Sequence, residues 1–308
     1  MTQEGKQRSI TIAVIGDVHE LWESGDGEAL QNLGVDLALF VGDFGNEAVE
    51  VVRAIAKVPV PKAVILGNHD AWYSATEWGL KRCPYDRLQE DWVEDQLQLL
   101  GETHVGYGKL DFPGLSLSVV GSRPFSWGGS TWRNGEFYTE RYSVENFEQS
   151  TSRIVDAVKE AAWETVLMIG HCGPTGLGDR PEDPCGKDWQ PIGGDYGDPD
   201  FAAAIAQAKR LGKQVSLVAF GHMHHSLRHT KTQHRRSLHI DADNTIYLNA
   251  ACVPRITKTD AGHLHNFSLV TLRAGTVERV SRAWVTPQGA IAAETILFER
   301  ATSIAQGA

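Results

Sequence analysis

Short apolar runs, each the length of a strand and separated by helical stretches, constrain the fold of this chain more than any other feature. The runs are rich in β-branched residues and have few polar interruptions, which is typical of strands buried on both faces. They are ITIAVIG (10–16), DLALFVG (36–42), KAVILG (62–67), TVLMIG (165–170), VSLVAFG (215–221) and TIYLNA (245–250). Helical patterns lie between them, at 46–57, 86–100, 143–162 and 200–211. This alternation predicts an α/β fold with helices outside the sheet layers.

The C-terminal part follows a different pattern. Residues 266–289 alternate apolar and polar side chains around Ala-Gly and Pro-Gln-Gly turns, which predicts antiparallel hairpins with one wet face. No low-complexity linker or internal repeat divides the chain, so we expect a single domain over residues 1–308. Two loop-rich segments, at about 121–142 and 172–199, are predicted to be ordered insertions beside a functional site, because long loops in compact domains are commonly functional.

Composition limits the class of partner. A formal net charge of −10 disfavours a nucleic-acid ligand, but it permits a small phosphorylated molecule held by a local positive centre such as a metal ion. No apolar run approaches the roughly 18 residues of a membrane span, and the N-terminus shows no signal-peptide core, so we expect no membrane association. Four scattered cysteines with no paired spacing predict free thiols and a cytoplasmic protein. The oligomeric state stays open.

Five of the apolar runs share an ending: each closes on a glycine that is followed at once by a side chain able to bind a metal. The residues that follow are Asp17 with His19, Asp43, Asn68, His171, and His222 with His224. Ligands of parallel α/β sheets bind just beyond the carboxyl ends of the strands, so these side chains are expected to converge at one edge. Two residues at one strand end also face the same way, because side chains alternate along a strand.

These side chains offer nitrogen and oxygen donors without thiolate, a set that suits Mn, Fe or Zn. Seven candidates exceed what one ion requires and are enough for two ions that share a bridging carboxylate. Two ions about 3.5–4 Å apart form a known clamp for in-line displacement at phosphorus. The sequence therefore predicts two divalent or mixed-valence metal ions as cofactors.

The ordered set GDVH, GDFGNE, GNHD, GHCG and GHMH, over residues 16–224, resembles the motifs of the calcineurin-like metallophosphoesterase superfamily. The resemblance implies a two-sheet β-sandwich of mixed strands flanked by helices. It also implies that Asp17, His19 and His224 hold the first ion and that Asn68, His171 and His222 hold the second. Asp43 would bridge the two ions, and a hydroxide generated from their shared water would attack phosphorus.

The resemblance further implies that His69 is not a ligand but protonates the leaving-group oxygen or stabilises its charge. Asp70 would orient the His69 imidazole and keep it protonated, since a neighbouring carboxylate raises the pKa of histidine. His225 points to the other face of its strand and is expected to lie outside the ligand set. Asn46 and Glu47 stand where the protein phosphatase branch carries an Asp-Arg pair, which argues against protein phosphatase activity.

Three arginines are candidates for substrate contact. Arg228 and Arg235 lie in a locally basic stretch, 226–239, and a guanidinium matches a phosphate bidentately. Arg123 and Trp127, in the loop after the run LSLSVVG, are placed to contact the part of the substrate that does not react. Asn249, which ends its strand, is expected to fix backbone rather than to touch substrate.

The sequence thus predicts a dinuclear metal-dependent phosphoester hydrolase that acts as a phosphatase on a small phosphorylated molecule. A phosphodiesterase, for a cyclic nucleotide or another diester, shares every motif, because the ions treat both kinds of ester alike and the loops decide. A non-catalytic relative that uses the fold as a metal-binding scaffold is a third interpretation.

Overall fold

A computed structural model describes residues 8–260 and 262–301 of the chain. The described strands are β1 (Ile10–Ile15), β2 (Leu37–Phe40), β3 (Lys62–Val64), β4 (Lys109–Phe112), β5 (Leu117–Gly121), β6 (Thr165–Ile169), β7 (Gln214–Phe220), β8 (Leu238–Ile240), β9 (Ile246–Asn249), β10 (Ile256–Thr259), β11 (Gly262–Arg273), β12 (Thr276–Val285) and β13 (Ile291–Glu299). The described α-helices are α1 (Ser24–Asn32), α2 (Val49–Ala56), α3 (Trp72–Ala75), α4 (Glu77–Leu80), α5 (Trp92–Leu100), α6 (Gly135–Tyr142), α7 (Phe147–Glu160) and α8 (Pro199–Arg210).

The strands form two sheets that pack face to face. The first has the order β13-β12-β11-β1-β2-β3, with β10 paired to β11, and the second has the order β4-β5-β6-β7-β9-β8. Within the first sheet β1, β2 and β3 are parallel, and within the second β5, β6, β7 and β9 are parallel. Each sheet also contains antiparallel strands, so both sheets are mixed, and the predicted sandwich flanked by helices is confirmed.

The unbroken apolar runs arise because each central strand is covered on both faces. In β1, Ile12 and Val14 lie in a core lined by strands of both sheets, whereas Ala13 and Ile15 pack in a core that includes Leu30 of α1. Successive side chains of a strand point to opposite faces, so one run supplies both cores. A strand with two buried faces needs apolar residues at every position, which is the pattern that the sequence shows.

The C-terminal strands β11, β12 and β13 form the antiparallel hairpins that the alternating pattern predicts. The first turn falls at Ala274 and Gly275, both with positive φ, and the second includes Gly289. Helices α2, α5 and α7 lie inside three of the predicted helical stretches, and α8 begins one residue before the fourth. None of the described helices is long and apolar enough to cross a membrane, and the four cysteines are free thiols.

The two loop-rich segments differ in secondary structure. The segment 121–142 includes α6, and residues 172–198 contain neither helix nor strand of their own. Backbone hydrogen bonds close the second loop on itself: the amide of Asp198 donates to Gly173 O at 2.7 Å, and that of Tyr196 donates to Cys185 O at 2.9 Å. The single-domain organisation over 1–308 stays a prediction.

Candidate metal centre

The seven predicted ligand side chains meet at one edge of the sandwich. Asp17, His19, Asp43 and Asn68 follow the parallel strands β1, β2 and β3 of the first sheet, and His171, His222 and His224 follow β6 and β7 of the second. Backbone hydrogen bonds join neighbouring strand ends, among them Asp17 N to Gly42 O at 3.1 Å and Gly221 N to His171 O at 2.8 Å. The site therefore draws on both sheets.

The backbone at this edge adopts a conformation that is uncommon for residues other than glycine. Asp17, His19, Asp43 and His222 have φ values of 52°, 45°, 56° and 66°. Left-handed backbone at non-glycine residues is unfavourable and clusters at functional sites. Asp17 and His19 therefore converge through two left-handed residues, not through the strand alternation that we expected.

Asp17, His19 and His224 form the first trio of donors. The Nε2 atoms of the two histidines lie 3.1 Å apart. Asp17 Oδ1 lies 3.4 Å from Nε2 of His224 and 3.9 Å from Nε2 of His19. The carboxylate of Asp17 is fully buried and accepts from the backbone amide of His222, at 3.1 and 3.0 Å for its two oxygens.

Asn68, His171 and His222 form the second trio. Nε2 of His171 lies 2.9 Å from Oδ1 of Asn68 and 3.2 Å from Nδ1 of His222. Burial lowers the pKa of His222 to about 3, so its imidazole is neutral and can donate a lone pair. Both trios thus present nitrogen and oxygen donors at close range.

Asp43 lies between the two trios. Its Oδ1 is 3.2 Å from Nε2 of His171, and its Oδ2 is 3.9 Å from Nε2 of His19. Burial of this carboxylate opposes ionisation, but the nearby imidazole of His171 holds the pKa of Asp43 well below its usual range. One ionised oxygen facing each trio is the arrangement that a bridging ligand requires.

The donor set fits divalent cations. Nδ1 of His171 lies 2.8 Å from Val41 O, so its proton is donated to that carbonyl and Nε2 faces the cluster. The oxygens of Asn68 and Asp43 lie around Nε2, and both are acceptors. An unprotonated Nε2 would be repelled by them, so this nitrogen needs either a proton or a cation. Burial opposes a proton there, but the Asp43 carboxylate overcomes it and raises the pKa of His171 to about 9. A cation at this position competes with that proton.

Two glycines at the strand ends are required by close approach. A Cβ atom on Gly221 would lie 2.2 Å from Oδ2 of Asp17, and one on Gly67 would lie 2.4 Å from Oδ1 of Asp43. Both distances are far below van der Waals contact. These two glycines therefore make space for a carboxylate that follows another strand.

His69 lies beside the trios with its ring held on two sides. Its Nδ1 lies 2.6 Å from Oδ1 of Asn46, and its ring stacks on Trp72 with centroids 4.7 Å apart and an interplanar angle of 13°. One donor atom each of His19, Asp43 and His69 lie within 4.8 Å of one another. His69 is thus close enough to act on a group bound at the trios.

The predicted role of Asp70 as the partner of the His69 imidazole is wrong. Asp70 is fully buried, and its carboxylate accepts from the backbone amides of Gly67 at 2.6 Å, Phe44 at 2.8 Å and Asp43 at 3.0 Å. These bonds fix the turns after β2 and β3. The partner of the imidazole is Asn46, which the sequence shows only as a departure from the phosphatase pattern.

Glu47, the second departure, is buried and faces away from the trios. Its carboxylate accepts from the backbone amide of Ser74 at 2.7 Å and from the hydroxyl of Tyr85 at 2.6 Å. Burial raises the pKa of this carboxyl group. Glu47 therefore anchors the segment that carries Trp72.

Arg123 is not a substrate contact. Its side chain is 3% exposed, and its guanidinium donates to Asp198 at 2.6 Å and to Asp200 at 2.8 Å. The three residues form a buried ion cluster that joins the two insertion loops to α8. The basic residue was visible in the sequence, but its two carboxylate partners lie about 75 positions further along the chain.

Arg235 is mostly engaged by contacts within the protein. Its Nη1 donates to the carbonyls of Pro181, Asp183 and Gly186 at 2.6, 2.8 and 2.6 Å, and its Nε donates to His224 O at 3.0 Å. These bonds consume most of the guanidinium donors. Arg235 instead braces the loop 172–199 against the strand end that carries His224.

Arg228, by contrast, is exposed and lines a cavity of about 300 Å³ next to His222 and His224. We call it the side cavity; its lining is Trp127, Arg133, Asp188, Trp189, Tyr196, His222, Met223, His224, Ser226, Arg228 and Arg235. Both loop-rich segments contribute to this lining. Arg133, Trp189 and Tyr196 were missed, although they lie in the segments that the sequence assigns to the site.

Two neighbouring residues act on the backbone. Asn249 donates to Met223 O at 2.8 Å and to Pro184 O at 3.1 Å, and it accepts from the amide of Ala251 at 2.9 Å, so its predicted structural role is confirmed. Nδ1 of His225 accepts from the amide of Val253 at 3.2 Å. His225 lies outside both trios.

Comparison with known proteins places this geometry in a family. The sequence model of the calcineurin-like phosphoesterases matches residues 10–226, which carry all seven donors. The chain therefore belongs to the calcineurin-like phosphoesterase family. None of the curated protein sequences matches the chain.

The chain is similar to several solved structures at low sequence identity. One is 15% identical, with a TM-score of 0.50, and the match covers 86% of this chain and 95% of the other. A protein of Thermus thermophilus is 14% identical, with a TM-score of 0.47 and coverage of 88% and 98%. A dimetal phosphatase from Danio rerio is 14% identical, with a TM-score of 0.46 and coverage of 94% and 99%.

Proposed function

We propose that this protein is a dinuclear metal-dependent phosphoester hydrolase that acts as a phosphatase on a small phosphorylated molecule. The observation that carries the proposal is the position of Asp43, whose two oxygens face two separate trios of nitrogen and oxygen donors. Membership of the calcineurin-like phosphoesterase family supports the same chemistry.

Asp17, His19 and His224 would hold one ion, and Asn68, His171 and His222 would hold the other, with Asp43 shared. Mn, Fe and Zn suit this donor set. When bound, such a pair supplies positive charge for the phosphate and activates water as a nucleophile. Five of the seven donors are neutral imidazoles or an amide, so the pair keeps a net positive charge that favours a phosphate dianion.

His69 would give a proton to the leaving-group oxygen. The Asn46 oxygen fixes the Nδ1 proton of His69, and the stacked ring of Trp72 fixes the plane of the imidazole. Nε2 is then the ring nitrogen left to exchange a proton with substrate.

A small substrate is supported by the shape and charge of the surroundings. The side cavity opens directly onto His222 and His224 and holds about 300 Å³, the lower end of the range for small-molecule sites. The chain has a net charge of −10, which disfavours a nucleic-acid surface. Arg228 is placed to meet an anionic group of the substrate.

The test compares the wild-type protein with Asp43→Ala after loading with Mn²⁺. We expect metal analysis to give about two ions per wild-type chain, and hydrolysis of 4-nitrophenyl phosphate to fall by about two orders of magnitude or more in the variant. Asp156→Ala, an exposed helix position, is the matched control and keeps wild-type turnover. Undiminished turnover in Asp43→Ala, or well under one ion per wild-type chain, overturns the proposal. A preference for bis(4-nitrophenyl) phosphate over the monoester would assign a diesterase instead.

A further inference from the structure

The side cavity has aromatic walls built by both insertion loops. Trp189 and Tyr196 pack edge to face with centroids 4.8 Å apart, and Trp127 comes from the other loop. Large planar side chains around a small cavity offer stacking surfaces for a planar ring. A phosphate alone does not need such walls.

The side cavity has more positive than negative side chains in its lining. Asp188 is its only carboxylate among the described lining residues, and it accepts from the amide of Arg228 at 2.8 Å and faces Arg235 at 3.4 Å. Arg235 is already engaged with backbone carbonyls. Within the described chain, the guanidinium groups of Arg133 and Arg228 make no hydrogen bond to protein, so two positive charges face the cavity in a protein of net charge −10.

Aromatic side chains link the side cavity to His69. Trp127 lies 5.4 Å from Trp72 between ring centroids, and Trp72 stacks on His69 at 4.7 Å. The row of rings therefore connects the cavity wall to the residue that would protonate the leaving-group oxygen. A substituent on that oxygen would reach the side cavity along these rings.

We propose that the side cavity binds the leaving group of the substrate, and that this leaving group carries a planar ring and a second negative charge. This rests on the proposed phosphoester hydrolysis. The ring lies against Trp127 and Trp189, and the second charge is held by Arg133 and Arg228. These four residues set specificity, because a guanidinium pairs with an anion by charge-assisted hydrogen bonds and the indoles provide stacking area.

The test uses three phosphoesters with increasingly complete leaving groups. Ribose 5-phosphate has a sugar but no planar aromatic ring, adenosine 5′-monophosphate adds the planar adenine, and adenosine 5′-diphosphate adds a second phosphate next to the reacting one. With Mn²⁺ in excess over nucleotide, we expect kcat/KM for phosphate release to rise about tenfold or more at each step. Equal values for the three esters overturn the proposal.

Variants separate the two parts of the subsite. Arg228→Gln and Arg133→Gln should lower kcat/KM for the diphosphate about 10- to 100-fold and change the ratio of diphosphate to monophosphate. Trp189→Leu should lower kcat/KM for both nucleotides relative to kcat/KM for ribose 5-phosphate. Arg210→Gln, at the exposed end of α8, is the matched control and changes none of the three. Arginine variants that lower all three esters equally contradict the subsite.

A binding measurement keeps this inference apart from the proposed function. Adenosine 5′-monophosphate matches the expected leaving group of the diphosphate, and calorimetry with Mn²⁺ omitted measures its affinity without turnover. We expect Arg228→Gln to weaken that affinity about tenfold or more. A wild-type protein that fails on 4-nitrophenyl phosphate but binds the nucleotide through Arg228 refutes the hydrolase and retains the subsite. Hydrolysis of the aryl ester with no effect of Arg228→Gln on binding refutes the subsite alone.

Discussion

Arg123 lies at the centre of a buried ion cluster whose removal has a large, calculable cost. The guanidinium faces the carboxylates of Asp198 and Asp200, and all three side chains are at most 3% exposed. Asp198 also accepts from Ser126 at 2.7 Å, and Asp200 accepts from Ser150. Arg123→Gln removes one positive charge and leaves two carboxylates without their ionic partner.

Breaking a buried ion pair by removing one partner costs about 3–5 kcal/mol, because the remaining charge is left desolvated. We expect Arg123→Gln to lower the free energy of unfolding by about that amount at pH 8. The ring faces of Trp132, Tyr138 and Phe147, at 5.0, 5.5 and 5.4 Å from the guanidinium carbon, lose a cation partner as well. Their contribution places the loss toward the upper end of that range.

The loss should depend on pH in a defined direction. Burial raises the pKa of Asp198 to about 6 even though Arg123 opposes the shift. Without Arg123 that pKa rises further, so protonation of the folded variant becomes easier than protonation of its unfolded chain. A group with a raised folded pKa destabilises the fold above that pKa and ceases to do so as the pH falls. The difference between wild type and Arg123→Gln should therefore shrink from pH 8 to pH 5.

Urea denaturation of both proteins at pH 8, 6.5 and 5 measures these differences directly. Arg210→Gln is the control, because it removes the same charge from an exposed position. A loss of less than about 1 kcal/mol at pH 8, or a loss that grows on acidification, refutes the reasoning about the cluster. If the variant is as stable as the wild type but has a raised KM, Arg123 is a substrate contact after all.

Two further predictions address the metal centre and a second buried pair. Gly221→Ala should displace the Asp17 carboxylate and reduce the metal bound per chain, as measured by mass spectrometry after Mn²⁺ loading. The control Gly27→Ala, whose Cβ would meet only a methyl group at 3.7 Å, should retain the metal. Equal metal content in both variants contradicts the close-approach argument. Asp26→Asn should cost about 3–5 kcal/mol at pH 7, because it leaves Arg255, 2.6 Å away, buried without its carboxylate. Burial opposes ionisation of Asp26, but Arg255 lowers its pKa, so the higher unfolding free energy of the wild type is present above pH 4 and is lost progressively as the pH falls below it. Urea titrations at pH 7 and 3.5 detect this change. A difference between wild type and variant that stays constant contradicts the assignment.

The layered fold and the positions of the donors could be predicted from the sequence because their signals are local. An apolar run such as residues 10–16 encodes a strand with two buried faces, and the glycine that ends it encodes a sharp exit. Parallel strands bring their carboxyl ends to one edge, so residues 205 positions apart, Asp17 and His222, become neighbours by topology alone. The hairpin turn at Ala274 and Gly275 could be predicted for the same local reason.

The roles of the arginines could not be predicted, because a guanidinium takes its role from partners that the local sequence does not specify. Arg123 and Arg235 are consumed by carboxylates and carbonyls of distant loops, while Arg228 and Arg133 stay exposed. Asp70 was misassigned for a related reason. Adjacency to His69 suggested a pair, but three backbone amides that need an acceptor outcompete one imidazole for a buried carboxylate.

Donors on both sheets make the proposed cations cross-links between the two halves of the sandwich. Four ligands would hang from the first sheet and three from the second, so separating the sheets would break the coordination of both ions. Any ligand that binds the native state alone raises its stability by mass action, by about 2.7 kcal/mol at a concentration one hundred times its Kd. The free energy of unfolding would then depend on the concentration of free metal. A chelator would remove the catalytic activity and lower the stability of the fold at the same time.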